Sequence, residues 1–207
     1  MPRSRAVTPA RKPASRYHHG DLPRAMLQEA VRTIQTHGVD ALTLRGVAER
    51  LGVSRTALYR HFVDKQALLA AVAAEGFRMF RTALIDAWDT AGRGREGFDA
   101  MAVAYVRFAV THPSHYRVMF GGVVQACDAS PVPSDAGTDA FQVLVDAIVE
   151  QQEAGLVRND NALQLARFIW AVVHGVAMLA LDGVLSVPEA NTLVKFANER
   201  LHTGIAA

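Results

Sequence analysis

The chain has 207 residues, half of them apolar and a fifth charged, which is typical of a soluble globular protein and excludes a disordered or fibrous chain. Its single cysteine, Cys127, excludes an intramolecular disulfide and a multi-cysteine metal site, and fits a reducing cytoplasm. The charge is unevenly distributed. Residues 1–65 hold twelve Lys and Arg against five Asp and Glu, a net charge of +7, while the remainder carries −5. This basic first third predicts a polyanion-binding site, with nucleic acid as the first expectation.

Neither an export signal nor a membrane span is expected. Residues 1–16 are basic, contain three prolines and lack the apolar stretch of a signal peptide. The longest uncharged apolar stretch, residues 168–181, is shorter than the ~20 residues that cross a bilayer. We therefore expect a buried helix there, no membrane partner and a cytoplasmic protein. The basic arm 1–16 has two open interpretations, a solubilising tail or an arm that folds against DNA phosphates or in the minor groove.

Helical periodicity begins at Asp21, and Gly38 is placed to end the first helix. Apolar side chains recur there at spacings i, i+3, i+4 and i+7, which is the pattern of one helix face. Those residues are Leu27, Ala30, Val31 and Ile34.

Two short helices follow. The second predicted helix covers residues 44–51 and the third covers residues 55–61, with Thr43 and Ser54 as N-caps and Gly52 between them. Two short helices joined by a tight turn that contains glycine, behind a longer supporting helix, predict a helix-turn-helix.

The rest of the chain also has helical patterning. Asp64 is a candidate N-cap for the fourth helix, Asn159 or Asp160 for the long apolar helix, and Ser186 for the last. Residues 121–138 are rich in Gly, Pro, Ser and Asp and predict a mobile loop. No strand pattern is found, so the predicted fold is all-α. Further helices are expected at roughly 64–90, 95–111, 113–120, 138–155, 160–182 and 188–203.

A recognition helix enters the major groove by its N-terminal turn, which here carries Arg55, Thr56 and Ala57. Arg55 can pair with guanine O6 and N7, and the other two can contact base edges or a thymine methyl. Arg45 can reach the groove rim, and Lys65 in the next helix can contact phosphate. A solvated helix face is the alternative for any one of these residues. Twelve cations around this turn favour DNA binding.

Residues 42–68 closely resemble the DNA-binding domain of tetracycline-repressor-like (TetR-family) transcription regulators. The resemblance lies in Val47-Ala48, Leu51-Gly52-Val53, Leu58-Tyr59-x-His61-Phe62, and Lys65 followed by Leu68. It implies DNA contacts from Thr43, Arg45, Ser54, Arg55, Thr56, Ala57, Tyr59, His61 and Lys65.

The C-terminal part resembles the TetR-family branch that carries a Trp…His-Gly motif. The matching residues are Trp170-x-x-x-His174-Gly175, His112-Pro113 and Tyr116-x-x-Met119-Phe120. This resemblance implies an inducer bound between the C-terminal helices and a dimer formed by the last two helices.

Trp170 and His174 are four residues apart and share a helix face. Many aromatic side chains lie on neighbouring predicted helices, and they can be core packing or the wall of a cavity. For His174 both a core role and a ligand contact stay open, with the core role favoured. The candidate pocket residues are Phe77, Tyr105, Phe108, Met119, Phe120, Phe141, Trp170 and His174.

The sequence thus predicts a basic arm (1–16), a helix-turn-helix domain (17–65) and a helical effector-binding and dimerisation domain (66–207). We expect a repressor that is released from a palindromic double-stranded DNA operator by a small, mostly apolar effector, and that dimerises through roughly residues 160–203. No catalytic constellation, metal site or cofactor motif is found, so an enzyme is not expected. The alternative is a DNA-organising or protein-regulated dimer without a small-molecule inducer. An open apolar cavity with a few polar groups would favour the repressor, and a closed, dry core the alternative.

Overall fold

The computed structural model describes residues 22–122 and 135–205. Within those ranges the chain forms nine helices and no strand, which confirms the all-α prediction. The helices are α1 (Leu22–His37), α2 (Leu44–Leu51), α3 (Arg55–Tyr59), α4 (Lys65–Thr90), α5 (Gly94–Thr111), α6 (Pro113–Phe120), α7 (Asp135–Glu153), α8 (Ala162–Leu181) and α9 (Val187–Ile205). The predicted arm 1–16 and most of the predicted loop 121–138 lie outside the described residues.

The predicted caps of the N-terminal helices are confirmed. Thr43, Ser54 and Asp64 each accept a hydrogen bond from the backbone N–H three residues on, at 3.0, 3.2 and 2.7 Å. Gly38 and Gly52 end the helices before them with φ angles of 80° and 66°, a region that favours glycine because it lacks a Cβ. The helix-turn-helix is therefore fixed largely by local hydrogen bonds and turn geometry.

The N-cap of α8 corrects the prediction. The cap is Asn161, whose side chain accepts from the backbone N–H three residues on at 3.0 Å, and neither Asn159 nor Asp160. The reason lies in the preceding loop. Gln152 Nε2 donates to the backbone carbonyls of Arg158 and Asp160 at 2.8 and 2.9 Å, which holds this segment out of the helix.

Gly97 lies inside α5 and not in the α4–α5 turn. It is buried inside α5, and a Cβ there would lie 2.7 Å from Cε3 of Trp88. Its function is close packing of α5 on α4, whereas Gly92 and Gly94 with positive φ form the turn.

The helix-turn-helix packs over Leu42, Val47 and Leu58, which are almost fully buried. The predicted domain boundary after residue 65 falls at the start of α4, a helix of 26 residues that continues from this unit into the C-terminal bundle. There α4 packs against α5, α6 and α7, and α6 also contacts α1. Two helices, α4 and α6, therefore connect the two parts of the fold.

The segment 168–181, predicted as a buried helix, is buried along one face of α8 in the single chain. In α8, Ile169 and Val173 face the core, while Phe168 and Leu179 are 55% and 42% exposed. By length and composition alone α8 is apolar enough to cross a membrane, a property that core helices of soluble proteins share. Here it packs against α5, α7 and α9 with one face and leaves the other on the surface.

Candidate nucleic-acid interface and effector cavity

The α3 helix is held by its apolar side and presents its polar side. Leu58 and Phe62 are 1% and 9% exposed and anchor this segment in the core. The carbonyl of Leu58 also accepts from the backbone N–H of Phe62 at 3.1 Å. Arg55, Thr56 and Tyr59 consequently point away from the core and are exposed. The guanidinium of Arg55, the hydroxyl of Thr56 and the phenol hydroxyl of Tyr59 are thus exposed on a short, anchored helix.

The other predicted contact residues lie on the same unit. Most are exposed, while Ala57 and Lys65 are half-buried. Lys65 Nζ donates to the backbone carbonyl of Asp40 at 3.4 Å, which links the α1–α2 loop to the start of α4. The exposed members of the set are Thr43, Arg45, Ser54, Arg55, Thr56, Tyr59 and His61.

The arginines of α2 have different partners. Arg50 turns toward α1, where its Nε lies 3.4 Å from Oε1 of Glu29. Arg45 turns outward, and its Nε donates to Oε1 of Glu49 at 2.7 Å. This hydrogen bond and the charge of Arg45 lower the pKa of the Glu49 carboxyl, and the pKa of Arg45 is raised in return. Of these two arginines, Arg45 is the one on the outward side of the unit.

A cavity of about 50 Å³ lies inside the C-terminal bundle, between α4, α5, α7 and α8. Its wall is formed by apolar and aromatic side chains, and Phe120 of α6 closes one side. Five of the eight predicted pocket residues line it, namely Phe77, Tyr105, Phe120, Phe141 and Trp170.

The polar atoms at the cavity wall are paired with one another. Trp170 Nε1 donates to Oη of Tyr105 at 3.0 Å. The hydroxyl of Tyr116 lies 3.3 Å from that of Tyr105, and His174 Nδ1 lies 3.1 and 2.8 Å from the two hydroxyls. Burial lowers the pKa of His174 and raises the pKa of both tyrosines, so all three groups are held neutral. In a neutral imidazole Nδ1 either accepts one hydroxyl proton or donates its own, and the tautomer decides which.

Three predicted pocket residues lie behind the wall. His174 contacts the rings of Phe120 and Trp170, with centroids 4.9 and 5.5 Å away, but belongs to the hydrogen-bond network. Phe108 packs on the Phe80 ring at 5.1 Å. Met119 packs on Gly76 of α4, where a Cβ would lie 2.6 Å from the Met119 sulfur.

Three cavity-lining residues of α5 were not among the predicted pocket residues, namely Phe98, Met101 and Ala102. With Tyr105 they recur at i, i+3, i+4 and i+7 and share one face of α5. That spacing is a signal that could have identified them. Among residues 22–122 and 135–205, no group of three His, Cys, Asp or Glu side chains is placed to hold a metal ion.

Comparison with known proteins gives two family matches. Residues 26–72 match the model of the bacterial regulatory proteins of the tetR family, and residues 98–199 match the tetracyclin repressor-like C-terminal domain. Among curated proteins, the tetracycline repressor protein class A from transposon 1721 of Escherichia coli is 49% identical over 51 residues. That match covers 25% of this chain and only 24% of the repressor.

Solved structures extend the likeness over the whole fold. A protein of unknown function from Rhodococcus sp. RHA1 is 36% identical, with a TM-score of 0.82 over 94% of this chain and 100% of that one. A TetR-family transcriptional regulator from Pectobacterium atrosepticum shares the fold at 24% identity, with a TM-score of 0.73 over 90% of this chain and 95% of that one.

The helix-turn-helix of α2 and α3 and the helical C-terminal bundle therefore correspond to the two family models in their order along the chain. The Escherichia coli protein is a repressor and the Pectobacterium atrosepticum protein is a transcriptional regulator. The chain belongs to the TetR family of bacterial transcriptional regulators.

Proposed function

We propose that this chain is a cytoplasmic, homodimeric repressor that binds a palindromic operator through α2 and α3. In this proposal an uncharged, mostly apolar small molecule enters the C-terminal cavity and releases the DNA. The observation that carries the proposal is the N-terminal turn of α3. Arg55 and Thr56 are exposed there, on a helix that is anchored by Leu58.

DNA recognition follows from the placement of those side chains. A helix that enters the major groove by its N-terminal turn brings Arg55 to the base edges, where two donors can pair with guanine. Tyr59, Lys65 and the backbone N–H groups at the start of α4 are suited to phosphate oxygens. Base contacts then set sequence preference, and phosphate contacts set register.

The exposed face of α8 and α9 supports a dimer. Phe168 and Leu179 of α8 and Phe196 of α9 are 55%, 42% and 53% exposed, an apolar surface that a second copy would cover. Gly175 lies between them on the exposed side, with open space around its Cβ position. Glycine inside a helix costs about 1 kcal/mol relative to alanine. A partner helix that approaches closely at Gly175 would explain why a glycine stands there despite that cost.

A two-fold dimer predicts a two-fold operator. Two copies of α3 related by the symmetry axis would read half-sites one helical turn apart, roughly 34–36 Å between centres. A change in the separation of the two α3 helices would then weaken binding.

The cavity wall predicts the chemistry of the effector. The polar atoms of Tyr105 and Trp170 are already paired, so a ligand that carries charge would lose its hydration without gaining a partner. A volume of about 50 Å³ holds only a few atoms, so a larger ligand must displace aromatic rings such as Phe120 or Phe141.

Displacement of Phe120 would couple ligand binding in the cavity to the DNA-binding unit. Phe120 ends α6, which packs on Gly76 of α4 through Met119 and also contacts α1. A ligand that prefers one position of α6 would bias the position of α1 and α4. Its effect on DNA affinity equals its differential affinity for the two arrangements.

One observation favours the alternative, a DNA-binding dimer with no small-molecule inducer. The cavity is small and its polar wall atoms satisfy one another, as in a closed core. Such a protein would show no small-molecule response, and a partner protein would regulate it.

Selection of bound sequences from random duplex DNA by the full chain tests the proposal. We expect an inverted repeat whose half-sites are about one turn apart, bound by a dimer in sedimentation. A screen of uncharged apolar compounds against that complex then separates the two candidates. Release by at least one compound supports the repressor, and a selection that yields no preferred sequence contradicts it.

A further inference from the structure

We infer that Glu49 is a positioning residue for base recognition, which holds the Arg45 guanidinium by its Nε so that both terminal nitrogens are presented to a guanine edge. This inference rests on the proposed DNA-binding function and assigns a specificity determinant within that site.

The geometry of the pair is the first argument. Arg45 is the second residue of α2, and Glu49 follows one helical turn later, with 2.7 Å between Nε and Oε1. A guanidinium can offer two parallel donors through Nε and one terminal nitrogen, or through both terminal nitrogens. Glu49 occupies the first of these edges. Within the part of the chain that the structure describes, no other hydrogen bond to this guanidinium is found, so the second edge is left for a base.

The position of the pair is the second argument. Both side chains are exposed, at 68% and 60%, on the outward side of α2, whereas Arg50 of the same helix turns inward to Glu29. Arg55, at the start of α3, also acts on the Glu49 carboxyl and lowers its pKa further. The charge of Arg50 lowers it as well, so three arginines act on Glu49, and only Arg45 is hydrogen-bonded to it among the described residues.

The sign of the charge is the third argument. An acidic side chain at this place weakens attraction to phosphates, which supplies most of the non-specific affinity for DNA. An exposed ion pair one turn apart contributes little to folding stability. Glu49 therefore has no evident benefit as a surface charge. Glu49 does have a benefit as a restraint on Arg45, because an arginine that is already held in one orientation loses less rotational freedom when it binds.

The test uses the operator that the wild-type chain selects, with every base pair varied singly. Relative affinities are measured for the wild type, Arg45→Ala, Glu49→Gln and Glu49→Asp. Glu29→Gln is the matched control, because it removes the same charge from a carboxylate that also pairs with an arginine, but on α1. All substitutions in α2 lie at exposed side chains, and circular dichroism checks that each variant is folded.

We expect Arg45→Ala to lose at least about fivefold of the preference for guanine at one position of each half-site. Glu49→Gln should lose part of the preference at that same position, at least about twofold, and bind unrelated DNA more tightly than the wild type. Glu49→Asp keeps the charge but shortens the side chain, so it should lose the preference without a gain in unrelated binding. Glu29→Gln should gain unrelated binding and keep the preference.

A base analogue isolates the guanine contact. Replacing N7 of that guanine by carbon removes one of its two acceptors, and the difference in guanine preference between the wild type and Glu49→Gln should then shrink. The inference is overturned if Glu49→Gln binds all sequences more tightly with unchanged preference. It is also overturned if Glu49→Gln changes the preference at a base pair that Arg45→Ala leaves alone, since Glu49 would then read a base itself. If the wild-type chain selects no sequence, the proposed DNA-binding function fails, and it does so before any variant is compared.

Discussion

Tyr116 Oη lies 2.8 Å from Nδ1 of His174, which joins α6 to α8 inside the C-terminal bundle. The rings are also stacked, with centroids 5.7 Å apart and planes 24° from parallel. Since α6 also contacts α1 and α4, this pair connects the cavity wall to the helices that lead to the DNA-binding unit.

The Tyr116–His174 hydrogen bond gives the first prediction. In His174→Asn the side-chain amide oxygen can take the place of Nδ1 as acceptor, whereas in His174→Gln the polar atoms lie further out. Asn should therefore retain more stability than Gln, by about 1 kcal/mol, because the buried tyrosine hydroxyls keep a partner. Urea denaturation of the two variants measures the difference. Equal stability would show that the hydrogen bond does not matter.

Burial of His174 gives a pH prediction. Its pKa is lowered in the fold, so the unfolded chain binds more protons at pH values between the folded pKa and the usual histidine value of ~6.5. The contribution of His174 to stability should therefore be complete above that value and fall as the pH drops below it. His112 and His202 have pKa values lowered by burial as well and add to this loss. Thermal unfolding across this range should show a shallower loss for His174→Asn than for the wild type. The surface variant His37→Asn is the matched control, and an identical slope for His174→Asn and wild type would refute the assignment.

The proposed dimer is tested by charge on the exposed face. Phe168→Glu and Phe196→Glu place a carboxylate where a partner should bury apolar surface, without disturbing the core of the single chain. Both should sediment as monomers and bind the operator far more weakly than the wild type. Val149→Glu, at a similarly exposed apolar residue of α7, is the control and should remain dimeric. Dimers that persist in both α8 and α9 variants would exclude this surface.

Gly175 distinguishes a covered face from a free one. In a free helix Gly175→Ala should stabilise the protein by about 1 kcal/mol. If a partner helix approaches closely at this point, Gly175→Leu should weaken the dimer while the isolated chain still folds, because nothing within the chain meets the new side chain. Sedimentation against concentration measures the dimer dissociation constant, and an unchanged constant for Gly175→Leu would contradict close approach.

Filling the cavity tests the effector proposal. Ala140 lines the cavity and is 2% exposed, and Ala140→Val adds two methyl groups toward the empty space. We expect a stability gain of about 0.5–2 kcal/mol, as for other cavity-filling substitutions, together with unchanged operator affinity and a weaker response to an effector. A variant that responds at unchanged effector concentration would place the effector elsewhere.

The helix-turn-helix and the cavity differed in how well the sequence predicted them. Thr43, Ser54 and Gly52 act within one turn of the chain, so their roles could be predicted from local spacing. The Tyr105–Tyr116–His174 network could not, because its members come from three helices and are up to 69 residues apart in sequence. Periodicity indicates which face of a helix is apolar but not which helix it meets.

The same limit explains the correction at the start of α8 and the position of Gly97. Asn159, Asp160 and Asn161 are all acceptable N-caps by residue type, and the choice among them depends on Gln152, a residue of the preceding helix. Glycine is a common turn residue, and only the approach of Trp88 shows that Gly97 is a packing residue.

The most direct test of the central claim is operator binding by the full chain at several salt concentrations, with the wild type and Arg55→Ala compared by gel shift. We expect the logarithm of the operator affinity to fall linearly with the logarithm of the salt concentration, because released counterions drive binding. We also expect Arg55→Ala to lose about 1–3 kcal/mol of preference at one base pair of each half-site. A salt-independent affinity, or an Arg55→Ala variant that weakens every sequence equally, would contradict the assignment of α3 as the recognition helix.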